Sequence, residues 1–260
     1  MNGIVIYAYN SKFDYVRLAE LAAKQAKQYL DLPVTLITDT QIESTIFDSI
    51  IIEPLTVDST TRVFPSPNGD SVESKWHNTN RMTAYDLSPY EKTLLIDADY
   101  FMCNDSLKHI FNTKSEFACF GEINDLAEEK QNQIEFRLSE ISIPMFWATV
   151  IYFTKNEYAR SVFQFMQYIR DNWDYYSNLY NFPAELYRND FSLSIAVQAL
   201  SGYGINNFDR LPGKLHTLFG NVDINQYGNK IVFSKNGVKN FISDTNLHII
   251  NKQFLTNING

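Results

Sequence analysis

Short apolar runs separated by a single amphipathic helix constrain the N-terminal part of this chain more than any other feature. Gly3 to Ala8 is too short for a helix and rich in strand formers, so it predicts a buried first strand. From Asp14 to Leu30 the apolar positions Val16, Ala19, Ala22, Ala23, Ala26, Tyr29 and Leu30 recur at helical spacing. Pro33 follows, Val34 to Thr38 predicts a second strand that ends in Asp39, and Ser49 to Ile52 a third. A strand-helix-strand opening implies right-handed crossovers and a parallel sheet. The expected fold class is therefore α/β, with a mixed, mostly parallel central sheet.

Farther on, residues 54 to 74 turn polar and carry Pro54, Pro65, Pro67 and Gly69, which predicts a long loop. Glu73 to Leu87 predicts a helix closed by Ser88-Pro89, and Thr93 to Ile96 a fourth strand. Phe117 to Phe120 reads as a strand, Glu122 to Glu140 as a polar helical excursion, and Pro144 to Phe153 as an aromatic-rich strand region. Asn156 caps a helix whose Tyr158, Val162, Phe165, Met166 and Ile169 share a face. Asp190 to Leu200 predicts another helix, and Ile231–Ser234 with Val238–Ile242 a hairpin through Asn236-Gly237. No repeat or linker interrupts the chain, so one domain over 1–260 is expected.

Composition limits the function classes. At 45% hydrophobic and 20% charged the chain can bury a full core, which rules out disorder for most of it. A formal charge of −8 has the wrong sign for a general nucleic-acid coat or a polybasic membrane binder, though it leaves room for a local basic cleft. Met1 to Tyr7 has no basic n-region, and no apolar stretch reaches the roughly 18 residues of a membrane span. A cytoplasmic protein is expected. Cys103 and Cys119 sit in apolar surroundings and read as buried thiols.

The strongest chemical signal is Leu94-Leu95-Ile96-Asp97-Ala98-Asp99. Carboxylates at alternate positions where an apolar strand ends project from the sheet's C-terminal edge, where open α/β sheets bind ligands. Asp is short and stiff, so Asp97 and Asp99 suit a hard divalent cation whose other ligands are phosphate oxygens. Such a cation neutralises a diphosphate as the bond to it breaks. The plainer alternative is an Asp-rich turn that caps backbone groups. Asp39 ends its own strand in the same way, with the same alternative.

The Asp-Ala-Asp after an apolar strand resembles the metal motif of GT-A (nucleotide-diphospho-sugar transferase, Rossmann-like) glycosyltransferases. The nearest pattern is the glycogenin-like, retaining branch, in which Asp105-Ser106-Leu107 has a counterpart as well. The resemblance implies a donor-binding half over 1–100, and over 101–260 an acceptor half with a C-terminal metal-ligand segment. It implies Mn²⁺ or Mg²⁺ held by Asp97, Asp99 and a late His, with a Lys after it on the donor phosphates. Leu247-His248-Ile249-Ile250-Asn251-Lys252 offers His248 and Lys252, at a spacing shorter than the family's and without its Gly; His216 competes with His248. The donor base and ribose would meet Tyr7, Tyr9, Asn10 and Tyr15, whose counterparts lie after the first strand. Lys75 or Arg81, on the predicted helix before the Asp motif, would reach the donor sugar or diphosphate, and Arg81 is preferred. Asp190, which otherwise reads as a helix cap, would contact the donor sugar. Phe146-Trp147-Ala148-Thr149 departs from the family's small-residue segment, so Trp147 could serve as a stacking platform, and Phe208 to Pro212 resembles a segment near the acceptor cleft.

A nucleotide-sugar donor, UDP-sugar favoured, follows from the same resemblance, with transfer at retention. A glycan, a protein side chain, a lipid-linked sugar and a modified DNA base are all open as acceptors. The last arises because compact chains rich in Tyr, Phe and Asn with this motif also look like phage-encoded glycosyltransferases, which would act in the host cytoplasm. Two other functions compete. A sugar-phosphate nucleotidyltransferase needs a Gly-rich loop after the first strand, and Asn10-Ser11-Lys12-Phe13 offers none. A non-catalytic nucleotide-sugar or glycan-binding module would bind donor without turnover.

Overall fold

The structure is a computed structural model. It describes residues 1–11, 13–54, 80–127, 137–139, 142–181, 187–204, 208–218, 230–235 and 238–250, and the backbone of 60–65, 71–76 and 223–227. In chain order the elements begin with β1 (Asn2–Tyr7), α1 (Tyr15–Leu30), β2 (Val34–Thr38) and β3 (Ser49–Ile52). There follow β4 (Thr60–Pro65), β5 (Ser71–Trp76), a 3₁₀ turn at Arg81–Thr83, α2 (Ala84–Leu87), β6 (Lys92–Asp97) and β7 (Tyr100–Phe101). The middle holds β8 (Phe117–Phe120), β9 (Ile123–Asp125), β10 (Trp147–Thr154), α3 (Glu157–Asp171), α4 (Trp173–Leu179) and α5 (Asn189–Leu200). Last come β11 (Asp209–Arg210), β12 (Leu215–Leu218), β13 (Asp223–Tyr227), β14 (Lys230–Lys235), β15 (Val238–Ser243) and β16 (Leu247–Ile249).

The central sheet has seven strands in the order β11-β8-β10-β6-β1-β2-β3. All run parallel except β10, which is antiparallel to both neighbours. The expected mixed, mostly parallel α/β sheet is what forms. Tyr7 pairs with Ile37 on one side and Asp97 on the other, so β1, β2 and β6 end level at one edge. Because β10 runs backwards, its first residues reach that same edge, with Val150 opposite Ile96. Strands covered on both faces need unbroken apolar runs, and β6 and β10 have them.

Helix α1 packs on β1 and β2 through Val16, Leu18 and an alanine stripe, Ala19, Ala22, Ala23 and Ala26. Asp14 caps it by accepting from the Arg17 amide, and Asn10 accepts from the Val16 amide at 3.0 Å, tying the loop after β1 to the helix start. On the other side α5 packs on β10 and α3 packs on α5, so that Phe191 to Gln198 of α5 are all buried. Gly3 sits where β1 passes the Tyr90 ring, and an added Cβ would overlap the ring carbons. Tyr90 cannot retreat cheaply, because its hydroxyl bonds Thr35 at 2.8 Å inside the core. Gly3→Ala is expected to destabilise by about 1–3 kcal/mol, the usual cost of overpacking. A urea midpoint unchanged from the wild type would contradict this.

The structure corrects three expectations. The expected loop over 54–74 contains β4, and β4 pairs antiparallel with β5 from Thr60↔Trp76 to Pro65↔Ser71. The expected helix over Glu73–Leu87 is consequently a strand up to Trp76, and helical only as the Arg81–Thr83 turn and α2. The β-branched and aromatic content of Thr60-Thr61-Arg62-Val63-Phe64, followed by Pro67-Asn68-Gly69, is a hairpin signal that outweighs the helical spacing. In the expected helical excursion Glu122–Glu140, Ile123–Asp125 is a strand, and no helix occurs among the described residues of that span.

Two smaller sheets complete the description. One has the order β7-β16-β12-β9; the other, β13-β14-β15, contains the expected hairpin plus one more strand. Asn246 fastens the first to the segment after the Asp motif, its side-chain oxygen accepting from the Cys103 amide at 2.8 Å and the Asn104 amide at 3.1 Å. Both cysteines are free and buried, and burial pushes the Cys103 thiol up to about 12. No helix among the described residues is long and apolar enough to cross a membrane.

Candidate metal centre at the sheet edge

Strand β6 carries Asp97 to the C-terminal edge, and a two-residue turn over Ala98 and Asp99 leads straight into β7. Strand β7 pairs antiparallel with β16 so that Tyr100 faces His248 and Phe101 faces Leu247. The Ile249 amide donates to the Asp99 carbonyl at 3.0 Å, and Thr217 Oγ1 donates to the His248 carbonyl at 2.9 Å. These contacts bring a residue from the end of the described chain beside the turn. A carboxylate oxygen from each of Asp97 and Asp99 and a ring nitrogen of His248 lie within 4.8 Å of one another. His248 Nε2 is 3.3 Å from Asp99 Oδ1. Among the described residues no other such group of three occurs, and His216 does not join this one. His216 lies on β12 instead, with Nδ1 3.5 Å from Asn124 Nδ2, and burial pulls its ring below the usual histidine range, Lys214 adding to the effect.

Arg81 stands behind the acids. It is 1% exposed, donates from Nη1 to Asp97 Oδ1, and donates from Nη2 to the Thr149 carbonyl at 3.2 Å. Its Nε is buried without a hydrogen-bond partner. The turn that carries Arg81 is held from α3, where Arg170 Nη1 donates to Asn80 Oδ1 at 2.8 Å. Burial pushes the Asp97 carboxyl above its ordinary range. Arg81 opposes that rise, Asp99 adds to it, His248 opposes and Asp190 adds. Burial is thus the main cause of the rise at Asp97, while the two carboxylate oxygens and one ring nitrogen gathered at the edge make a donor set suited to a dication.

Asp190 opens α5 beside the start of β10. Its Oδ1 accepts from the Ala148 amide at 2.8 Å, and its Oδ2 from Arg188 Nη2 at 2.7 Å and Nε at 3.2 Å. The Arg188 guanidinium lies 5.9 Å over the Trp147 ring and 4.9 Å over Phe191. Trp147 is buried at the head of β10, so its ring packs in the interior under Arg188. Phe208 packs edge-on against Phe146 at 4.7 Å.

The remaining expected residues fall as follows. Tyr7 and Tyr9 reach the same edge but are buried, the Tyr7 hydroxyl 2.7 Å from Thr83 Oγ1 and the Tyr9 hydroxyl donating to Glu53 Oε2 at 2.6 Å. Burial raises both phenols above their usual range, so each keeps its proton. Asn10 is exposed and braces α1, while Tyr15 packs partly buried against the core. Asp39 follows β2 and accepts from Thr40 Oγ1 at 3.0 Å. Lys75 lies on β5, opposite Thr61, rather than on a helix. Lys252 lies outside the described residues. Sequence reasoning missed Glu53 and Arg188. Glu53 stands just after β3 as Asp39 stands after β2, so the same strand-end rule finds it. Nothing in the sequence pattern singles out Arg188.

No protein-family model matches the chain, and no curated protein matches it. Solved structures of similar shape exist. The glycosyltransferase GlyE of Streptococcus pneumoniae TIGR4 is 14% identical with a TM-score of 0.44, over 81% of this chain and 45% of GlyE. An active-site mutant of LgtC is 14% identical with a TM-score of 0.47, over 75% of this chain and 70% of that one. Mouse xyloside xylosyltransferase 1 is 9% identical with a TM-score of 0.46, over 80% of this chain and 84% of that one. The chain spans less than half the length of GlyE. Likeness at this level concerns chain path and assigns no residue a role.

Proposed function

We propose that this chain is a single-domain, metal-dependent glycosyltransferase of the GT-A kind, moving a sugar from a nucleotide-diphosphate sugar to an acceptor hydroxyl with retention. The observation that carries the proposal is the Asp97, Asp99 and His248 cluster at the carboxyl edge of a mostly parallel sheet, with Arg81 buried behind it. Two carboxylate oxygens and one imidazole nitrogen fit Mn²⁺ or Mg²⁺ and leave further coordination for phosphate oxygens. A bound ion would supply positive charge to the departing diphosphate.

The chain's own residues do the rest. Asp97, Asp99 and His248 would hold the ion. Arg81 fixes Asp97 through one oxygen and so sets where the other points. Lys252 would add positive charge near the phosphates. Tyr7, Tyr9, Asn10, Tyr15 and Asp39 would shape the wall for the base and ribose, with a UDP-sugar favoured. Asp190, beside Ala148 and Arg188, would meet the donor sugar's hydroxyls. In the transfer the bond from the anomeric carbon to the diphosphate oxygen breaks and its electron pair leaves with the phosphate. The acceptor oxygen bonds that carbon from the same face, and the hydroxyl proton passes to a phosphate oxygen of the leaving group.

The test is a panel of nucleotide-sugars incubated with Mn²⁺, with free nucleotide as the readout. Release of UDP from one donor is expected. Pyrophosphate release from a nucleoside triphosphate and a sugar phosphate would replace the proposal with nucleotidyl transfer, and donor binding without turnover would replace it with a binding module. For His248→Ala, Mn²⁺ affinity is expected to fall at least by the roughly 10–100-fold that loss of even an outer-shell partner costs. Unchanged affinity by calorimetry would remove His248 from the centre.

A further inference from the structure

Arg81 sets a permanent positive charge against one of the acids at the sheet edge. A guanidinium does not lose its proton inside a protein. At 1% exposed, this one offers a ligand no surface, whereas Asp97 keeps 24% of its side chain exposed. Arg81 therefore acts on anything bound at the edge through Asp97, to which it donates from Nη1. Water screens a buried pair far less than a surface pair, so much of the Asp97 charge is already offset within the protein.

The charge is also fixed in place. Nη2 donates to the Thr149 carbonyl on β10 at 3.2 Å. The turn that carries Arg81 is clamped from β1 and α3. Thr83 Oγ1 donates to the Asn80 carbonyl at 2.8 Å and lies 2.7 Å from the Tyr7 hydroxyl. Arg170 Nη1 donates to Asn80 Oδ1 at 2.8 Å and to Met82 Sδ at 3.4 Å. Swinging the guanidinium away from Asp97 would leave a charge unpaired in the interior, which is strongly unfavourable.

Ion affinity at carboxylate sites follows the charge of the ligands and the rigidity of the site. Asp97 and Asp99 bring two carboxylates to the edge, and Arg81 offsets one of them. Asp190, whose charge also reaches Asp97, is itself paired with Arg188, Oδ2 to Nη2 at 2.7 Å. A diphosphate carries further negative charge on oxygens that suit the same hard cation.

Resting on the metal centre of the transfer proposal and naming its regulation, we infer that Arg81 makes ion binding conditional on the nucleotide. The edge takes a bare ion more weakly than its two carboxylates would alone, and ion and diphosphate bind as a coupled pair. Such coupling is reciprocal. The test is calorimetry of Mn²⁺ on the full chain, alone, with saturating UDP and with uridine, after the heat of Mn²⁺ binding to free UDP is subtracted. In the wild type UDP is expected to tighten Mn²⁺ by about tenfold or more, within the usual span of coupling, and uridine to leave it unchanged. Arg81→Met removes the charge and keeps an unbranched side chain; it is expected to bind Mn²⁺ alone about tenfold more tightly than the wild type, and to gain less from UDP. Arg81→Lys keeps the charge and should stay within a few-fold of the wild type in both. If Arg81 only orients Asp97, its loss would weaken the ion, the opposite sign. Equal Mn²⁺ affinity with and without UDP in the wild type would overturn the inference without recourse to a variant, and so would a folded Arg81→Met that binds Mn²⁺ no more tightly. Either result, with Mn²⁺ still bound, defeats this inference alone; no Mn²⁺ binding under any condition defeats it together with the metal centre of the transfer proposal.

Discussion

Asp99→Asn is expected to abolish nucleotide release from the donor and to remove Mn²⁺ binding, while leaving the metal-free protein as stable as the wild type. In the absence of an ion, Asp99 adds to the forces that push the Asp97 carboxyl up. Replacing one of two repelling carboxylates by an isosteric amide relieves that repulsion and weakens the 3.3 Å contact with His248 Nε2, opposing effects that leave the fold close to its original stability. The binding function goes the other way, because an amide oxygen carries no charge to hold a dication against phosphate oxygens. Thermal unfolding with and without Mn²⁺ separates the effects. A ligand that binds only the folded state stabilises it by about 2.7 kcal/mol at a hundred times its Kd. The wild type should show such a shift and Asp99→Asn none. Asp97→Asn should lose activity equally but should also lose stability, since it removes the anion that compensates a buried guanidinium.

Arg81→Ala is expected to be the most destabilising single change at the site, by about 3–5 kcal/mol in urea unfolding without metal. That is the usual cost of leaving one member of a buried ion pair alone. Arg81 is almost wholly buried and bridges two neighbouring strands, holding the Asp97 carboxylate on β6 and the Thr149 carbonyl on β10. Asp97 keeps partial access to solvent, with 24% of its side chain exposed, which places the expected loss toward the lower end. Added Mn²⁺ should restore part of the lost stability in Arg81→Ala, because a dication takes over the compensation of Asp97. Arg81→Lys should fall between, since one ammonium cannot reproduce the fork that meets both partners. A loss below about 1 kcal/mol for Arg81→Ala would show that the guanidinium does not hold this edge together.

How far the sequence carried these conclusions depends on the range of each interaction. The order β1, α1, β2, β3 and the strand ending in Asp97 were legible because each is a local pattern: an apolar run, an alanine stripe, a terminal acid. His248 was not legible in that way. It reaches Asp99 through the pairing of β7 and β16, strands of two and three residues whose partners are far apart in sequence. Only the family resemblance pointed to it. Arg81 was expected to reach the donor, with a solvated surface charge as the alternative; its burial against Asp97 and the Thr149 carbonyl was not legible, because those partners lie across the sheet and far off in sequence. The misread helix over Glu73–Trp76 shows the opposite failure. There a local hairpin signal was present and helical spacing was allowed to outweigh it.

The most direct test measures nucleotide release from UDP-sugars after the protein is stripped with EDTA, and again after Mn²⁺ is returned, in the wild type and in Asp99→Asn. Release from the wild type should vanish on stripping and return with the ion, and Asp99→Asn should release nothing under either condition. Release that persists in EDTA, or that Asp99→Asn retains, would contradict a metal-dependent transfer centre built on Asp97, Asp99 and His248.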